Sequence, residues 1–484
     1  MMDNRLLGIE PFIHKELTKY HVPSLSLAVV KEENIIYQGC FGFRNLHRRL
    51  PPDPQTRYPI ASLSKSMTAL CLGLLKDEGK IDWNIPVVNY VPEFNMYDPY
   101  ATWNVTLEDM LSHRTGVPCH DAALIERPII RKTTKELVEC IAHLKPNKGF
   151  RTMYEYNNFM YIAASYIIER VTGMPWATFI KKRVFEPLGM DHTSAVLADL
   201  IQDENKALPY KEIDGQIEQI SYANNDHAVG AGSVHSSVQD MAKWLSFTIG
   251  KGEYMGRRLV SEQIMKEIHK PRTLIPTPLE NAFREMPLSA YCFGWVLQPY
   301  RGHLCFQHSG GIDGFSSFQT IMPNEKLGIV LLSNLENTSL HIAMADMIYD
   351  LILGYPETDW PARYLARKKV MHANKSNHNK PLEEKRELET NSSRHLEDYV
   401  GQYENKGYGT LEIESCKDRL IMSFKGVRSE LKRNNCESFE ITHSGNPITV
   451  FFKTTSKGEI SAVCVDFEPS GQAIEFSRRE ISWH

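Results

Sequence analysis

The sequence predicts an α+β fold, with an antiparallel sheet flanked by helices and an all-helical region, followed by a small C-terminal all-β barrel or sandwich. Three observations predict it. β-rich runs sit at both ends of the first 355 or so residues, and helical periodicity fills the space between them. A charged, Asn-rich stretch then breaks the pattern near residues 360–394. After it, short strands recur every 8–15 residues with no helical pattern. The boundaries read from this are 1–358 for the first domain, 359–394 for a linker and 395–484 for the β domain.

In chain order, Leu6, Ile9, Phe12, Ile13 and Leu17 share one face of a helix over 4–20, ended by Pro23. Runs 24–30 and 34–38 read as a hairpin joined by Lys31-Glu-Glu33. A helix over 61–79 carries Leu63, Met67, Leu70, Cys71, Leu74 and Leu75 at helical spacing and closes at Gly79. Thr106 with Asp109 three positions on reads as a helix start of the capping-box kind. Further helices are expected over 159–171, stopped by Gly173, over 176–185, ended by Pro187, and over 237–249. Runs 304–307, 314–321 and 327–332 suggest an antiparallel meander, closed by a helix over 341–353. In the last domain, strands are expected at 411–413, 420–424, 439–441, 449–453, 462–467 and 473–476.

Composition narrows the function. The 484 residues are 42% hydrophobic and 24% charged with net charge −4, an ordinary globular balance with no basic footprint for nucleic acid. No stretch reaches 18 apolar residues and the first twenty are charged throughout, so neither a membrane span nor a secretory leader is expected and the cytoplasm is the expected location. Nine cysteines without a Cys-x-x-Cys pair argue for reduced thiols and against a zinc knuckle. No metal site and no cofactor is expected. The partner expected is a small-molecule or peptide substrate, with homo-oligomer formation left open.

Chemistry concentrates on the 61–79 helix. Ser62 and Lys65 lie three apart, so they meet on one side of the helix, almost opposite the apolar stripe. Ser66, Ala69 and Gly73 share that side, which lets another element pack closely. At the helix start, free N–H groups and positive potential favour an oxyanion. Ser-x-x-Lys is the nucleophile spacing of serine β-lactamases and penicillin-binding proteins. A second match, Ser429-Glu-Leu-Lys432, falls in a strand-rich stretch without the stripe and is rejected.

Residues 15–355 resemble the serine β-lactamase-related family, which includes class C β-lactamases, D,D-peptidases, D-aminopeptidases and esterases. The resemblance rests on Val22-Pro-Ser24 with Gly39-Cys-Phe-Gly42, Ile60 to Ser66, Leu111-Ser-His-Arg-Thr-Gly116, Leu188-Gly-Met190 and Gly230-Ala-Gly232. It implies a second motif, Tyr-x-Asn, at Tyr156-Asn157-Asn158, chosen over Tyr222-Ala-Asn224 and Tyr403-Glu-Asn405 because a helix follows it. It implies a third motif at His308-Ser309-Gly310, followed by Gly311, on a strand edge where backbone N–H groups face a substrate carbonyl. The last 90 residues resemble the lipocalin-like domain appended to some relatives, on Tyr399-Val-Gly-Gln-Tyr403 and Gly407 to Leu411. That domain is read either as a cover over the active-site mouth or as a stabilising or oligomerising module.

What the resemblance implies is acyl transfer in two steps. Ser62 attacks a carbonyl, Lys65 and Tyr156 act as one coupled base, Asn158 orients Lys65 and a substrate amide, and a protonated His308 stabilises a Tyr156 phenolate. The oxyanion rests on the N–H groups of Ser62 and Gly311, with Ser309 and Gly310 in the same substrate-binding strand. Histidine in place of lysine in the third motif holds a substrate carboxylate less firmly at neutral pH. That leans away from a potent β-lactamase and toward an esterase, aminopeptidase, amidase or acyltransferase. Two other readings stand beside a hydrolase: an acyltransferase or peptide cyclase of the same family, and a non-catalytic penicillin-binding or scaffold protein that keeps the fold.

Overall fold

The computed structural model describes residues 3–124, 132–224, 226–277, 283–370, 394–434, 438–443, 446–467 and 472–479. The chain separates into two compact units. The first comprises Met1–Phe94, Tyr100–Gly116 and Lys148–Ala366; the second comprises Asn95–Pro99, Val117–Asn147 and Arg367–His484.

The first unit is built on an eight-stranded antiparallel sheet. Its strands are β1 (Ser24–Lys31), β2 (Asn34–Gly42), β3 (Thr273–Ile275), β4 (Ser289–Tyr291), β5 (Val296–Leu297), β6 (Phe306–Ile312), β7 (Phe315–Met322) and β8 (Leu327–Ser333). They lie in the order β2-β1-β8-β7-β6-β5-β4-β3. Both ends of the segment therefore meet in one sheet, with β1 beside β8 (Leu27 opposite Leu331, Val29 opposite Ile329). The period-two alternation of these strands sends apolar groups to both faces. On one face Leu27, Phe318, Ile329 and Leu331 join α1 (Ile9–Lys19) and the closing helix Leu340–Leu353 in a single core. On the other, Gln319 accepts from Trp244 Nε1 at 3.1 Å, and Trp244 belongs to the helix Val238–Ile249. Burying each large apolar side chain in such a core contributes about 1.5–3 kcal/mol.

The expected helices are present with small changes. The 61–79 element starts as a 3₁₀ turn, Ala61–Leu63, and becomes α-helical only at Ser64–Asp77 (α2). Every residue from Ser64 to Leu75 is buried, so α2 is a central helix enclosed all round rather than on two faces. Thr106 and Asp109 form the capping box. The helix Phe159–Thr172 (α3) ends at Gly173 in the left-handed region. Pro187 does not end the next helix: it lies inside a following turn, Glu186–Leu188, and Gly189 at φ 64° ends it.

Strands β3, β4 and β5 were not expected from the sequence; each is two or three residues long, too short to show alternation. The linker expected over 359–394 begins as a helix over 360–370. Trp360 is fully buried in the first core, and its Nε1 donates to Asp350 Oδ2 at 2.8 Å. The many charges of this stretch concealed one anchoring aromatic. Residues 371–393 of that expected linker lie outside the described residues.

In the second unit, eight strands close a barrel: Gly401–Asn405, Gly409–Cys416, Arg419–Phe424, Val427–Arg433, Ser438–His443, Asn446–Thr454, Ile460–Val465 and Ile474–Arg478. Tyr403 opposite Arg478 makes the closure. Two of these strands, the first and fourth, lacked a clear sequence signal because polar residues dominate them. Aromatic rings fill the inside, with Tyr399 and Phe452 centroids 4.7 Å apart. Ser429 and Lys432 lie on the fourth strand, which agrees with rejecting them as a catalytic pair. The described residues of the segment Val117–Asn147 pack with this barrel. His120 Nδ1 pairs with the Tyr408 hydroxyl, and Lys425 Nζ donates to Ala123 O at 2.6 Å.

Candidate active site

The nucleophile candidate sits on a constrained turn. Ala61, just before Ser62, has φ 47°, a conformation that L-residues adopt at a cost of about 1–2 kcal/mol. The turn is held from several sides. Ser317 Oγ on β7 donates to Ile60 O at 2.8 Å, and Ser64 Oγ donates to Ala61 O at 2.7 Å. Gln319 Nε2 donates to Ser66 Oγ at 3.0 Å, tying α2 to the sheet. Gly310 on β6 faces the turn directly: a Cβ there would overlap Ile60 O and Ser317 Oγ. Gly294 does the same for α2, at φ 70°, where a Cβ would overlap the Lys65–Ser66 peptide.

Around Ser62 the expected residues converge. Lys65 Nζ lies 3.0 Å from Ser62 Oγ, 2.5 Å from Asn158 Oδ1 and 2.8 Å from Ala231 O. The Tyr156 hydroxyl lies 2.8 Å from Ser62 Oγ on the other side. Lys65 is fully buried, with the Tyr156 ring 4.9 Å and the Tyr161 ring 5.5 Å from its ammonium. The two adjacent asparagines divide their work. Asn157 Oδ1 accepts from Met160 N at 3.0 Å in the first turn of α3, and Asn158 reaches Lys65. Tyr222 and Tyr403, set aside above, lie elsewhere: Tyr222 donates to Ala207 O and Tyr403 lies within the barrel.

β6 brings the third motif to the same place. Among the described strands it pairs with β7 along its whole length but with β5 only at Phe306 and Gln307. From His308 to Ile312 one backbone edge has no neighbouring strand among the described residues. Ser309 and Gly311 are exposed, whereas His308 and Gly310 are buried.

His308 departs from expectation. Both ring nitrogens are engaged within the protein: Nδ1–H donates to Ser309 O at 2.7 Å, and Nε2 pairs with the Tyr291 hydroxyl at 2.9 Å. Burial, then the nearby Lys65 charge, push its pKa down to about 3. The stabilisation of a Tyr156 phenolate by a protonated His308 therefore does not hold.

Three groups at the site were not singled out from the sequence. His113, at φ 56°, packs its ring 4.5 Å from Tyr156 and 4.4 Å from Tyr291, and burial holds it neutral. It lay within the segment Leu111–Gly116, so a signal existed. Tyr291 stands on the three-residue β4, where nothing marks it, and burial raises its pKa well above the ordinary tyrosine value. Ala231 contributes only a carbonyl oxygen, and its signal was the matching segment Gly230-Ala-Gly232 rather than any side chain. Among the described residues, no group of three or more His, Cys, Asp or Glu is placed to hold a metal ion, and no helix is long and apolar enough to cross a membrane.

A serine flanked by a buried lysine and a tyrosine, on a turn facing an open strand edge, agrees with the comparison to known families. The family model described as beta-lactamase matches residues 9–350. The chain belongs to the beta-lactamase family. It is a serine hydrolase of that family with penicillin-binding-protein-like neighbours. A second model, a domain of unknown function (DUF3471), matches residues 385–478 of this beta-lactamase-family chain. The unguisins hydrolase ungD of Aspergillus violaceofuscus is 30% identical over 83% of this chain and 75% of its own length. The chain spans 63% of the length of Protein flp from Staphylococcus aureus, at 27% identity over 68% of this chain. The octameric penicillin-binding protein homologue from Pyrococcus abyssi has the same fold over 97% of this chain and 99% of its own, with TM-score 0.62 and 23% identity.

Proposed function

We propose that this family member forms an acyl-enzyme on Ser62 and hydrolyses an amide, peptide or ester bond, with a D-aminopeptidase- or esterase-like preference rather than potent β-lactamase activity. The observation that carries this is the placement of Ser62 Oγ between Lys65 Nζ at 3.0 Å and the Tyr156 hydroxyl at 2.8 Å.

The hydrogen bonds suit a lysine base. Ala231 O is a carbonyl and accepts only, and Asn158 Oδ1 is likewise an acceptor. Together they take two N–H groups of Lys65 in either charge state. The third position of Nζ points at Ser62 Oγ and is a lone pair in the neutral amine or an N–H in the ammonium. With neutral Lys65, the Ser62 O–H donates to Nζ and Tyr156 donates to Ser62 Oγ. With Lys65 charged and Tyr156 as phenolate, the same number of protons is present and the direction reverses. The pair titrates as one unit.

In the acylation step, Ser62 Oγ bonds to the carbonyl carbon as its proton passes to the Lys65–Tyr156 pair. The oxyanion is held by N–H groups of Ser62 and Gly311. Collapse breaks the bond to the leaving group, which takes a proton from Tyr156. Water then adds to the acyl carbon, its proton returns through the same pair, and the Ser62 ester bond breaks. Removing one oxyanion donor typically costs about 10²–10³ in rate.

A neutral His308 offers no charge to a substrate carboxylate on β6, which supports the lean away from penicillin-like substrates. Two of the similar proteins carry names that fit an amide or peptide substrate: an unguisins hydrolase, and a D-amino acid amidase from Ochrobactrum anthropi that shares the fold at TM-score 0.60 and 21% identity.

The test is intact-protein mass spectrometry with p-nitrophenyl esters, D- and L-aminoacyl anilides and a penicillin. A Ser62-dependent adduct or turnover, lost in Ser62→Ala, is the expected result. Equal turnover by Ser62→Ala would overturn the mechanism. Adding amines or alcohols separates hydrolysis from acyl transfer.

A further inference from the structure

A cavity of about 690 Å³ opens in the first unit, lined by Arg114, Arg151, Arg272, Tyr154, Leu274 and Leu288 among others. Its size is that of a small-molecule site. The three arginines are fixed by carboxylates that do not line it. Arg114 Nε and Arg151 Nε donate to Asp109 Oδ1 at 2.6 and 2.8 Å. Arg114 Nη2 donates to Glu108 Oε1 at 3.0 Å, and Arg272 Nε lies 3.2 Å from Glu108 Oε2. Arg272 also stacks on Phe293, with its guanidinium 3.5 Å from the ring centre.

The arrangement leaves donors over. Arg114 Nη1, Arg151 Nη1 and Arg272 Nη2 make no hydrogen bond among the described residues. Three guanidinium groups against two carboxylates leave one net positive charge. Asp109 is fully buried and its carboxyl is held below the ordinary range by these partners, so the arginine frame is pre-organised rather than floppy. At the rim, Leu274 and Leu288 are 74% and 51% exposed and offer apolar surface beside the arginines.

Packed aromatic rings link the cavity wall to the proposed reaction centre. The Tyr154 ring lies 5.7 Å from Tyr291 and 5.8 Å from His113, and these two contact His308 and Tyr156 respectively. Tyr156 in turn reaches Ser62. The strand that carries the third motif supplies no positive charge, and the charge stands here instead.

We infer that this arginine-walled cavity is a substrate subsite for a carboxylate carried next to an apolar group on the acyl substrate. The inference rests on the serine-hydrolase reading above. Guanidinium groups match a carboxylate in shape and charge, and such charge-assisted pairs are the stronger hydrogen bonds.

The test compares matched substrates that differ only in carboxylate against primary amide. One pair is a set of p-nitrophenyl monoesters of diacids of graded length with their amide counterparts. The other is an acyl-dipeptide with a free C-terminal carboxylate and its C-terminal amide. The readout is the ratio of kcat/KM within a pair, which a folding defect leaves unchanged. In the wild type, at least one pair favours the carboxylate by about tenfold or more. That ratio falls at least fivefold in Arg151→Gln and Arg272→Gln, is largely kept in Arg151→Lys, and declines in 0.5 M salt. Turnover with every ratio near one, or with ratios unchanged in both glutamine variants, overturns the subsite alone. No turnover and no Ser62 adduct with any substrate overturns the serine-hydrolase reading, and the subsite falls with it.

Discussion

Tyr291 donates its hydroxyl proton to Nε2 of His308 at 2.9 Å, while Nδ1–H of the same ring donates to the Ser309 carbonyl oxygen at 2.7 Å. A carbonyl oxygen only accepts, so Nδ1 carries the proton, and in the neutral ring that burial favours Nε2 is the acceptor. The neutral ring satisfies both partners. Replacing Tyr291 by phenylalanine removes the donor and leaves a buried nitrogen unpaired, which costs about 1–3 kcal/mol. The protonated ring would lose its acceptor at the same place, so burial still keeps His308 neutral. The expected outcome in Tyr291→Phe is a fall in kcat/KM by a similar factor at pH 5 and pH 8, from a loosened His308 on β6. Wild-type kcat/KM at both pH values would show that this hydrogen bond does not position β6.

Asn158 tests the lysine. Its Oδ1 is 2.5 Å from Lys65 Nζ. A carboxylate in that place favours the ammonium and withdraws the lone pair from Ser62. Asn158→Asp is therefore expected to lower kcat/KM at pH 7 by about tenfold or more and to shift the optimum upward. Asn158→Ala removes an acceptor without adding charge and is expected to lower the rate without that shift. Stopped-flow acylation across pH 6–10 separates the two.

Gly310 is legible in the sequence as part of a His-x-Gly triplet, and its reason lies in the fold. The strand passes so close to the Ser62 turn that a Cβ would overlap Ile60 O and Ser317 Oγ, both backbone-fixed or bonded to backbone. Gly310→Ala is expected to displace the turn and lower acylation by at least 100-fold while the far-UV circular dichroism stays native. Near-native acylation would mean the turn yields without consequence.

Long, periodic or glycine-marked features were legible: α2, the hairpin, the meander, and the residues Ser62, Lys65, Tyr156 and Asn158, which the fold brings within hydrogen-bond distance. What escaped was information held in three dimensions. Tyr291 and Arg272 sit on or beside strands of two or three residues, where neither burial nor partners can be inferred from neighbours in sequence. His308 was placed correctly, but its charge state depends on burial and on Lys65, which lies 243 positions away in the chain. Trp360 shows the opposite failure, a core anchor masked by charged neighbours.

Stability should depend on acid through histidine. Burial pushes His308 and His341 down to about 3, and His120, His235 and His269 to about 4. In the unfolded chain these groups titrate near 6.5. Because the folded pKa is depressed, the unfolded state binds more protons between these values. The stabilisation is complete above about pH 6.5 and is lost as pH falls toward 3–4, with roughly 1.4 kcal/mol per pH unit for each proton taken up. Asp346, whose buried carboxyl is raised well above the ordinary range, works in the other direction. Urea unfolding at pH 7, 6 and 5 is expected to show a falling midpoint; a midpoint that rises on acidification would contradict the buried neutral histidines.

The barrel can be removed only with a consequence for Val117–Asn147. Within the second unit that segment depends on barrel residues for its partners: His120 on Tyr408, Ala123 O on Lys425, and Asn147 Oδ1 on the Gln472 amide at 3.3 Å. Gly407 also lies against His143, where a Cβ would come within 2.6 Å of the His143 Cβ. Deleting 395–484 strips these contacts and removes the Tyr408 partner of the buried His120. The expected outcome is fast proteolysis inside 117–147 in the truncated chain, mapped by mass spectrometry, at protease levels that leave the full chain intact. Substituting Tyr408→Phe and Lys425→Ala together in the full chain is expected to produce a milder form of the same cleavage pattern. Because that segment runs between His113 and Tyr156 in sequence, any change of substrate preference in the truncated protein reports the loss of order in 117–147 as well as the loss of the barrel. If 117–147 resists protease equally in the truncated chain, the segment holds its own structure and the barrel contacts add nothing to it.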